Sequence, residues 1–206
     1  MIDGQPFHYE AEQLAVETDP IITFDQAKAV LLKAKELLDE ENIPFGLIFG
    51  TLLGAVREHS FIKHDYDVDI YVKDQQKLLH AIPKFWEKGM KLIRVVEGRL
   101  YTFRYNNGAY IDMYILGRAP FPFNLYCYFV GGCVQPKHLY DKTTKINFLG
   151  GMFTIPANYV QAMELCYGKN WKTPIKSSDK HTTWRYDVYP VYIYRRVKKW
   201  ILKVLK

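Results

Sequence analysis

Apolar positions recur along this chain with two periods, and the changes between them mark its elements. Between 24 and 41, Ala27, Val30, Leu31, Ala34, Leu37 and Leu38 fall three and four residues apart, which puts them on one face of a helix. Thr23 precedes them and Gln26 stands three residues on, a capping-box pattern; Glu41-Asn42 and Pro44 close the segment. Phe45 to Phe49 is an apolar run of strand length, broken by Gly50-Thr51. Leu52, Leu53, Ala55 and Val56 then suit a short helix. After a loop come Asp65, Asp67 and Asp69, with Val68, Ile70 and Val72 between and beyond. Residues two apart share a face of a strand, so Asp67 and Asp69 point the same way while the apolar residues face a core.

Further along, Asp74 caps a helix holding Leu78, Leu79 and Ile82, which Pro83 kinks or divides and Gly89 ends. Phe85 and Trp86 read as core. Leu92–Val96, Leu100–Tyr105 and Tyr110–Leu116 are strand-like, and Asn106-Asn107-Gly108 is a turn between the last two. Leu125–Val130 is a further strand, stopped by Gly131-Gly132. Lys137, His138 and Asp141 sit in a polar connection, where His138 is read as a surface residue rather than a substrate contact. The stretches on either side of Gly150-Gly151 form a hairpin. Pro156 opens a helix carrying Val160, Met163, Glu164 and Tyr167, and Gly168 ends it. Strands and helices in this order make an α+β fold. The expected organisation is an arm over 1–22, a domain over 23–175 and an extension over 176–206.

The paired acids bring in chemistry. Two carboxylates side by side on a strand both ionise readily only beside a cation. Mg²⁺ prefers oxygen ligands and often takes one or two carboxylates, leaving positions for substrate phosphates; Mn²⁺ is the alternative. Gly50 lets a backbone approach a phosphate closely. Thr51 offers a hydroxyl near the start of the short helix, where free N–H groups favour anions. Arg57 offers a bidentate contact. Alone, a D-x-D triplet is a weak signal, since solvated strand edges carry it too. The order strand, Gly-Thr, short helix, D-x-D strand matches a site for a metal-bound phosphate. Asp112, between Ile111 and Met113, needs a partner or a metal unless its strand lies at an edge.

Composition and charge narrow the classes. At 206 residues and 49% apolar, with 16% aromatic, the chain has ample material for one core. Cys127, Cys133 and Cys166 show no paired spacing, which points away from a disulfide framework or structural zinc and toward thiols in a reducing compartment. The first residues lack a basic and apolar leader, and no apolar stretch reaches membrane-spanning length, so a cytoplasmic protein is expected. The net charge of +6 is uneven. Residues 191–206 hold six basic residues and no acid, and the other 22 basic side chains equal the 22 acidic ones. Ile193, Val197, Trp200, Ile201, Val204 and Leu205 share a face there. The segment reads as a basic amphipathic helix, either lying on the inner face of an anionic membrane or packed on the body with its basic face in water. A body with no basic excess argues against nucleic acid.

G-T-L-L-G-A-V-R at 50–57 and F-I-x-x-D-Y-D-V-D-I at 61–70 resemble the LicD family, which includes fukutin and fukutin-related protein. The run from Ile155 to Pro174 is similar to the family's later block, so the resemblance covers about 45–174 with a looser middle. D-Y-D-V-D resembles the fukutin-related branch. Glu58-His59-Ser60 departs from a His-Gly-Gly-like turn, and Lys63-His64 from a Pro-Trp-like pair. The resemblance implies a nucleotidyltransferase-like mixed sheet with flanking helices. It implies transfer of phosphocholine or a phospho-alditol from a CDP-activated donor to a hydroxyl of a glycan or lipid-linked saccharide, releasing CMP. Asp67 and Asp69 would bind Mg²⁺ or Mn²⁺, with Asp65 as a further ligand or an acid orienting Lys63 or Arg57. Asp112 would be a third carboxylate, acting as general base or completing the metal site. Gly50, Thr51, Arg57 and Lys63 would hold phosphate. Tyr167 and Trp171 either stack on the nucleotide base or pack to anchor their helix. Two rivals stand beside this: a nucleotidyltransferase that transfers the nucleotide itself, and a non-catalytic relative binding glycan or membrane.

Overall fold

A computed structural model describes residues 9–12, 22–63, 68–106, 108–119, 121, 123–131 and 133–174. Helix α1 spans Phe24–Glu40 and opens on the capping box expected of Thr23 and Gln26. Its buried face is Ala27, Val30, Leu31, Ala34, Leu37 and Leu38. Strand β1 (Phe45–Leu47) leads into helix α2 (Phe49–Leu53), which widens into a π-type turn over Gly54–Glu58. Strand β2 (Val68–Val72), helix α3 (Gln75–Glu87) and strands β3 (Met90–Val96), β4 (Leu100–Tyr105) and β5 (Tyr110–Ile115) follow.

The five strands form one mixed sheet in the order β1-β2-β5-β4-β3. β2 and β5 run parallel; the other neighbours are antiparallel. Alternation sorts each strand's residues between two faces. Val68, Ile70, Val72, Ile111, Met113, Ile115, Tyr101 and Phe103 join the main core with α1 and α3. Asp69, Tyr71, Thr102, Asp112 and Tyr114 fall on the other face. Residues 9–12 run along the outer edge of β3, with Glu10 and Glu12 N–H groups donating to Leu92 and Ile93 carbonyls at 3.2 and 2.9 Å. This covers an edge that would otherwise expose unpaired backbone groups.

The second face is partly roofed. Strands β6 (Gly117–Arg118), β7 (Cys127–Val130) and β8 (Cys133–Pro136) make a small antiparallel sheet. Helix α4 (Lys137–Asp141), the hairpin β9 (Thr143–Phe148) and β10 (Gly151–Pro156), and helix α5 (Tyr159–Tyr167) complete the order. A second apolar cluster joins Ile48, Phe49 and Tyr71 to Leu116, Val130, Leu139, Tyr140 and Ala162. Asp69, Asp112 and Thr102 lie beside this roof on the same sheet face.

Three local expectations are corrected. Pro83 sits inside α3 without dividing it, because the buried stripe Leu78, Ala81, Ile82 and Phe85 continues across it and holds both halves on the sheet. Lys137–Asp141 is a helical turn rather than a polar connection, since Leu139 and Tyr140 are buried under it. Pro156 ends β10 opposite Thr143 instead of opening a helix. Asn158 is the cap of α5, accepting from the Gln161 N–H at 3.2 Å. His138 lies near the same cap, 3.2 Å from Gln161 Oε1. The basic segment 191–206 lies outside the described residues. Among those described, no helix is long and apolar enough to cross a membrane.

Candidate functional site

The site is a row of side chains across four neighbouring strands. Asp69 of β2 is opposite Asp112 of β5, Asp112 is opposite Thr102 of β4, and Thr102 is opposite Arg94 of β3. Register partners project to the same side of a sheet, and neighbouring strands are about 4.8 Å apart. Both carboxylates are buried, with residue exposures of 5% for Asp69 and 3% for Asp112.

Asp69 is fixed by the turn that follows β1. Its N–H donates to Thr51 Oγ1 at 2.8 Å, and its carbonyl accepts from the Ile48 N–H at 3.4 Å. Its carboxylate Oδ2 accepts from the Gly50 N–H at 3.3 Å. The strand stops at Leu47, two residues before the end of the apolar run, and Phe49, with a positive φ of 50°, turns the chain into α2. The Gly50 N–H, read from sequence as a phosphate contact, is therefore aimed at a protein carboxylate. Thr51 is buried, and its hydroxyl orders the backbone of Asp69.

Asp112 is held by charge. Arg94 Nη2 donates to Oδ1 and Oδ2 at 3.0 and 2.8 Å, and the Thr102 hydroxyl donates to Oδ1 at 2.6 Å. Arg94 Nε in turn donates to Thr102 Oγ1 at 3.0 Å. A carboxylate offers about four lone-pair directions, and three are used here. One remains, on Oδ2. Arg94 reaches the row because β3 slips register between Leu92 and Arg94. The slip lets Leu92 and Ile93 both be buried and delivers the next side chain to the opposite face.

The other predicted residues are placed differently from one another. Arg57 is only 14% exposed, donating from Nε to Glu58 at 2.7 Å and from Nη1 to the Trp171 carbonyl at 3.0 Å. It ties the π-type turn to the chain after α5. Lys63 is exposed. Trp171 is 5% exposed and belongs to the main core, with Lys172 Nζ 5.6 Å from its ring centroid; packing accounts for it. Tyr167 is half-buried against the same core. Asp65 and Asp67 lie outside the described residues. Among the described residues no three His, Cys, Asp or Glu side chains cluster as metal ligands. His59 takes a φ of 53°, in the left-handed region that favours glycine. A side-chain carbon on Gly54 would meet the Ser60 carbonyl at 2.5 Å, so the loop that leads toward the carboxylates passes directly over that residue.

Sequence reasoning missed Arg94 and Thr102. Thr102 was one of two polar residues, with Arg104, in the otherwise apolar strand Leu100–Tyr105, which is a weak signal. Arg94 carried none, because its side of the sheet is set by the register slip.

Ribitol-5-phosphate transferase FKTN of Mus musculus is 28% identical over 173 residues, covering 78% of this chain and 36% of its own length. The Homo sapiens protein of that name is 26% identical over 165 residues, covering 74% and 34%. Ribitol 5-phosphate transferase FKRP of Mus musculus is 29% identical over 154 residues, covering 64% and 29%. The chain thus spans about a third of the length of these relatives. Among solved structures, lincomycin-bound lincosamide antibiotic adenylyltransferase LnuA superposes with a TM-score of 0.48 at 13% identity, over 69% of this chain and 85% of that one. Antibiotic-resistance factor ANT(2'')-Ia gives 0.47 at 12% identity, over 78% and 80%. The family model described as LicD/FKTN/FKRP, nucleotidyltransferase domain, matches residues 42–158, more than half of the sequence, and the chain belongs to that family.

Proposed function

We propose that this chain catalyses transfer of a phosphorylated alditol or phosphocholine group from a CDP-activated donor to a sugar hydroxyl. The observation that carries the reading is the buried pairing of Asp69 with Asp112 on adjacent parallel strands, within the matched family region. Asp69 and Asp112 set buried carboxylate oxygens opposite each other. Hard oxygen donors of this kind fit a divalent cation such as Mg²⁺ or Mn²⁺. Asp69 and Asp67, with Asp65 as a further ligand, would hold it. When bound, it would neutralise charge on the diphosphate as the bridging bond breaks.

The acceptor oxygen attacks the phosphorus that bears the alditol or choline. A new P–O bond forms to the acceptor, the P–O bond to the bridging oxygen breaks, and CMP leaves with that electron pair. Asp112 has one lone pair left for the acceptor's proton or for the cation. The chain's own contribution is to hold Asp69 by neutral donors and Asp112 by Arg94 and Thr102, so that neither carboxylate must reorganise during transfer. The named relatives are ribitol-5-phosphate transferases, which favours a phospho-alditol as the transferred group; the glycan acceptor comes from the LicD resemblance and is part of the same proposal.

The test uses CDP-ribitol, CDP-glycerol and CDP-choline labelled at the cytidine phosphate, with Mg²⁺ and a panel of methyl glycosides. Label released as CMP, with unlabelled phosphate on the acceptor, is expected. Label on the acceptor would instead establish nucleotide transfer, the second enzymatic reading. No turnover with any of them, but glycan binding without metal, would favour the non-catalytic one.

A further inference from the structure

The proposed reaction needs a cation fixed in the protein beside the donor diphosphate; of the two that the sequence nominated, Lys63 is exposed and Arg57 is occupied. Arg57 donates to Glu58 and to the Trp171 carbonyl and is largely buried. Thr51 spends its hydroxyl on the Asp69 backbone, and Gly50 its N–H on the Asp69 carboxylate. Arg94 is different. One edge of its planar guanidinium, Nε and Nη2, is committed to Thr102 and Asp112. Its side chain is still 36% exposed, against 4% for the Asp112 side chain it holds. The two Nη1 hydrogens have no partner among the described residues.

We propose that Arg94 is an anion-binding residue of this site, fixing Asp112 with one edge and presenting Nη1 to a phosphate oxygen of a diphosphate-containing substrate. The proposal rests on the phosphoryl-transfer reading for the identity of that substrate. Its physical basis is separate. A guanidinium has five donors in a fixed fork, so anchoring one edge aligns the rest at no further entropic cost. An arginine tethered by a buried carboxylate keeps its orientation when the substrate arrives. The sheet row also puts Arg94 at the far end from Asp69, with Asp112 between them. A diphosphate lying along the row would meet a cation held at the Asp69 end and a guanidinium at the other, with the carboxylate of Asp112 facing the reacting phosphorus from between.

A purely structural role makes a different prediction, because Arg94 also neutralises a buried acid. Removing it alone would strand the Asp112 charge and destabilise the protein. The decisive comparison therefore includes the Asp112→Asn background, where no charge is stranded. Binding of inorganic pyrophosphate, CDP, UDP and ADP would be measured by calorimetry with Mg²⁺ present. The proteins are wild type, Arg94→Gln, Asp112→Asn and the double variant Arg94→Gln/Asp112→Asn, each checked for a cooperative melt. The expected result is a loss of about tenfold or more in diphosphate affinity on removing Arg94, in both backgrounds, since a charge-assisted contact disappears in each. Equal affinity of Asp112→Asn and the double variant overturns the proposal and leaves Arg94 as a counter-ion. Loss of pyrophosphate and all three nucleotides alike through Arg94, with no preference for CDP, supports the anion contact while removing support for the cytidine donor. CDP binding that is indifferent to Arg94 does the reverse. No binding of any diphosphate to wild type overturns both.

Discussion

Asp69 and Asp112 face each other across two parallel strands, and they are held by opposite means. The Ile48 and Gly50 N–H groups donate to the Asp69 carbonyl and carboxylate, and the Thr51 hydroxyl accepts the Asp69 N–H. A guanidinium and a threonine hydroxyl fix Asp112. The asymmetry matters electrostatically. Asp112 is bonded directly to a guanidinium, whereas the Gly50 N–H that reaches the Asp69 carboxylate is neutral.

That difference makes Asp69 the more sensitive of the two in catalysis. Asp69→Asn keeps the shape and removes the charge. CMP release is expected to fall by about 10²- to 10³-fold, the scale of losing one preorganised electrostatic contact. The melting temperature should hold or rise slightly. Retention of a tenth of wild-type turnover would remove Asp69 from the proposed mechanism.

Thr51→Val is nearly isosteric and deletes only the hydroxyl that receives the Asp69 N–H. A buried N–H left without its acceptor costs about 1–3 kcal/mol. For a chain of this size that is roughly 2–12 °C in melting temperature. Turnover should fall more than diphosphate binding does, because the damage is a displaced Asp69 and not a lost phosphate contact. A normal melt with weakened CDP binding would restore the direct phosphate role read from sequence.

Gly54→Ala places a methyl where the Ser60 carbonyl stands 2.5 Å away and the Ile62 N 3.2 Å away. Backbone cannot yield as a side chain can, so a loss of about 1–3 kcal/mol is expected. The loop over Gly54 leads into the acidic segment, so activity should fall further than stability alone explains. Thermal melts paired with turnover at low temperature separate the two effects. A fully stable, fully active Gly54→Ala protein would contradict the close approach.

Tyr71 gives a pH prediction with a definite sign. Its hydroxyl is buried with no hydrogen-bond partner among the described residues, and burial raises its pKa above the ordinary 10.0. The unfolded chain then loses this proton near pH 10 while the folded protein keeps it. Stability is therefore fully present below pH 10 and falls as pH rises above it. Tyr71→Phe should remove this contribution and be neutral or stabilising at pH 7, since no hydrogen bond is lost. Denaturant melts at pH 7 and pH 10.5 check it. An equal alkaline loss in both proteins would assign that loss to other groups.

The segment 191–206 carries a prediction from sequence alone. Its six basic residues and apolar face should bind vesicles containing anionic lipid, with affinity that falls at high salt. Flotation of the full chain and of a chain lacking 191–206 tests this. Vesicle binding that survives the deletion would rule out the segment as the anchor.

The sequence by itself determined the local elements and put Asp69 and Asp112 on strands. Helix α1 followed from a three-and-four spacing and its capping pair, and β2 from apolar alternation around Asp69, because these signals lie within a few residues of each other. Asp112 was visible as an acid in an apolar strand. Tertiary structure decided the basic side and the supports. Arg94, Thr102, Asp112 and Asp69 become a row only through the order of four strands and a one-residue slip in β3, neither of which leaves a local pattern. Arg57 reads from sequence as a phosphate contact, but its donors go to Glu58 and to a carbonyl 114 residues away; Trp171 reads as either a stacking or a packing residue, and the core encloses it. A side chain's chemistry is written in its own residue type, but whether its donors are free for a substrate depends on which distant groups reach them first.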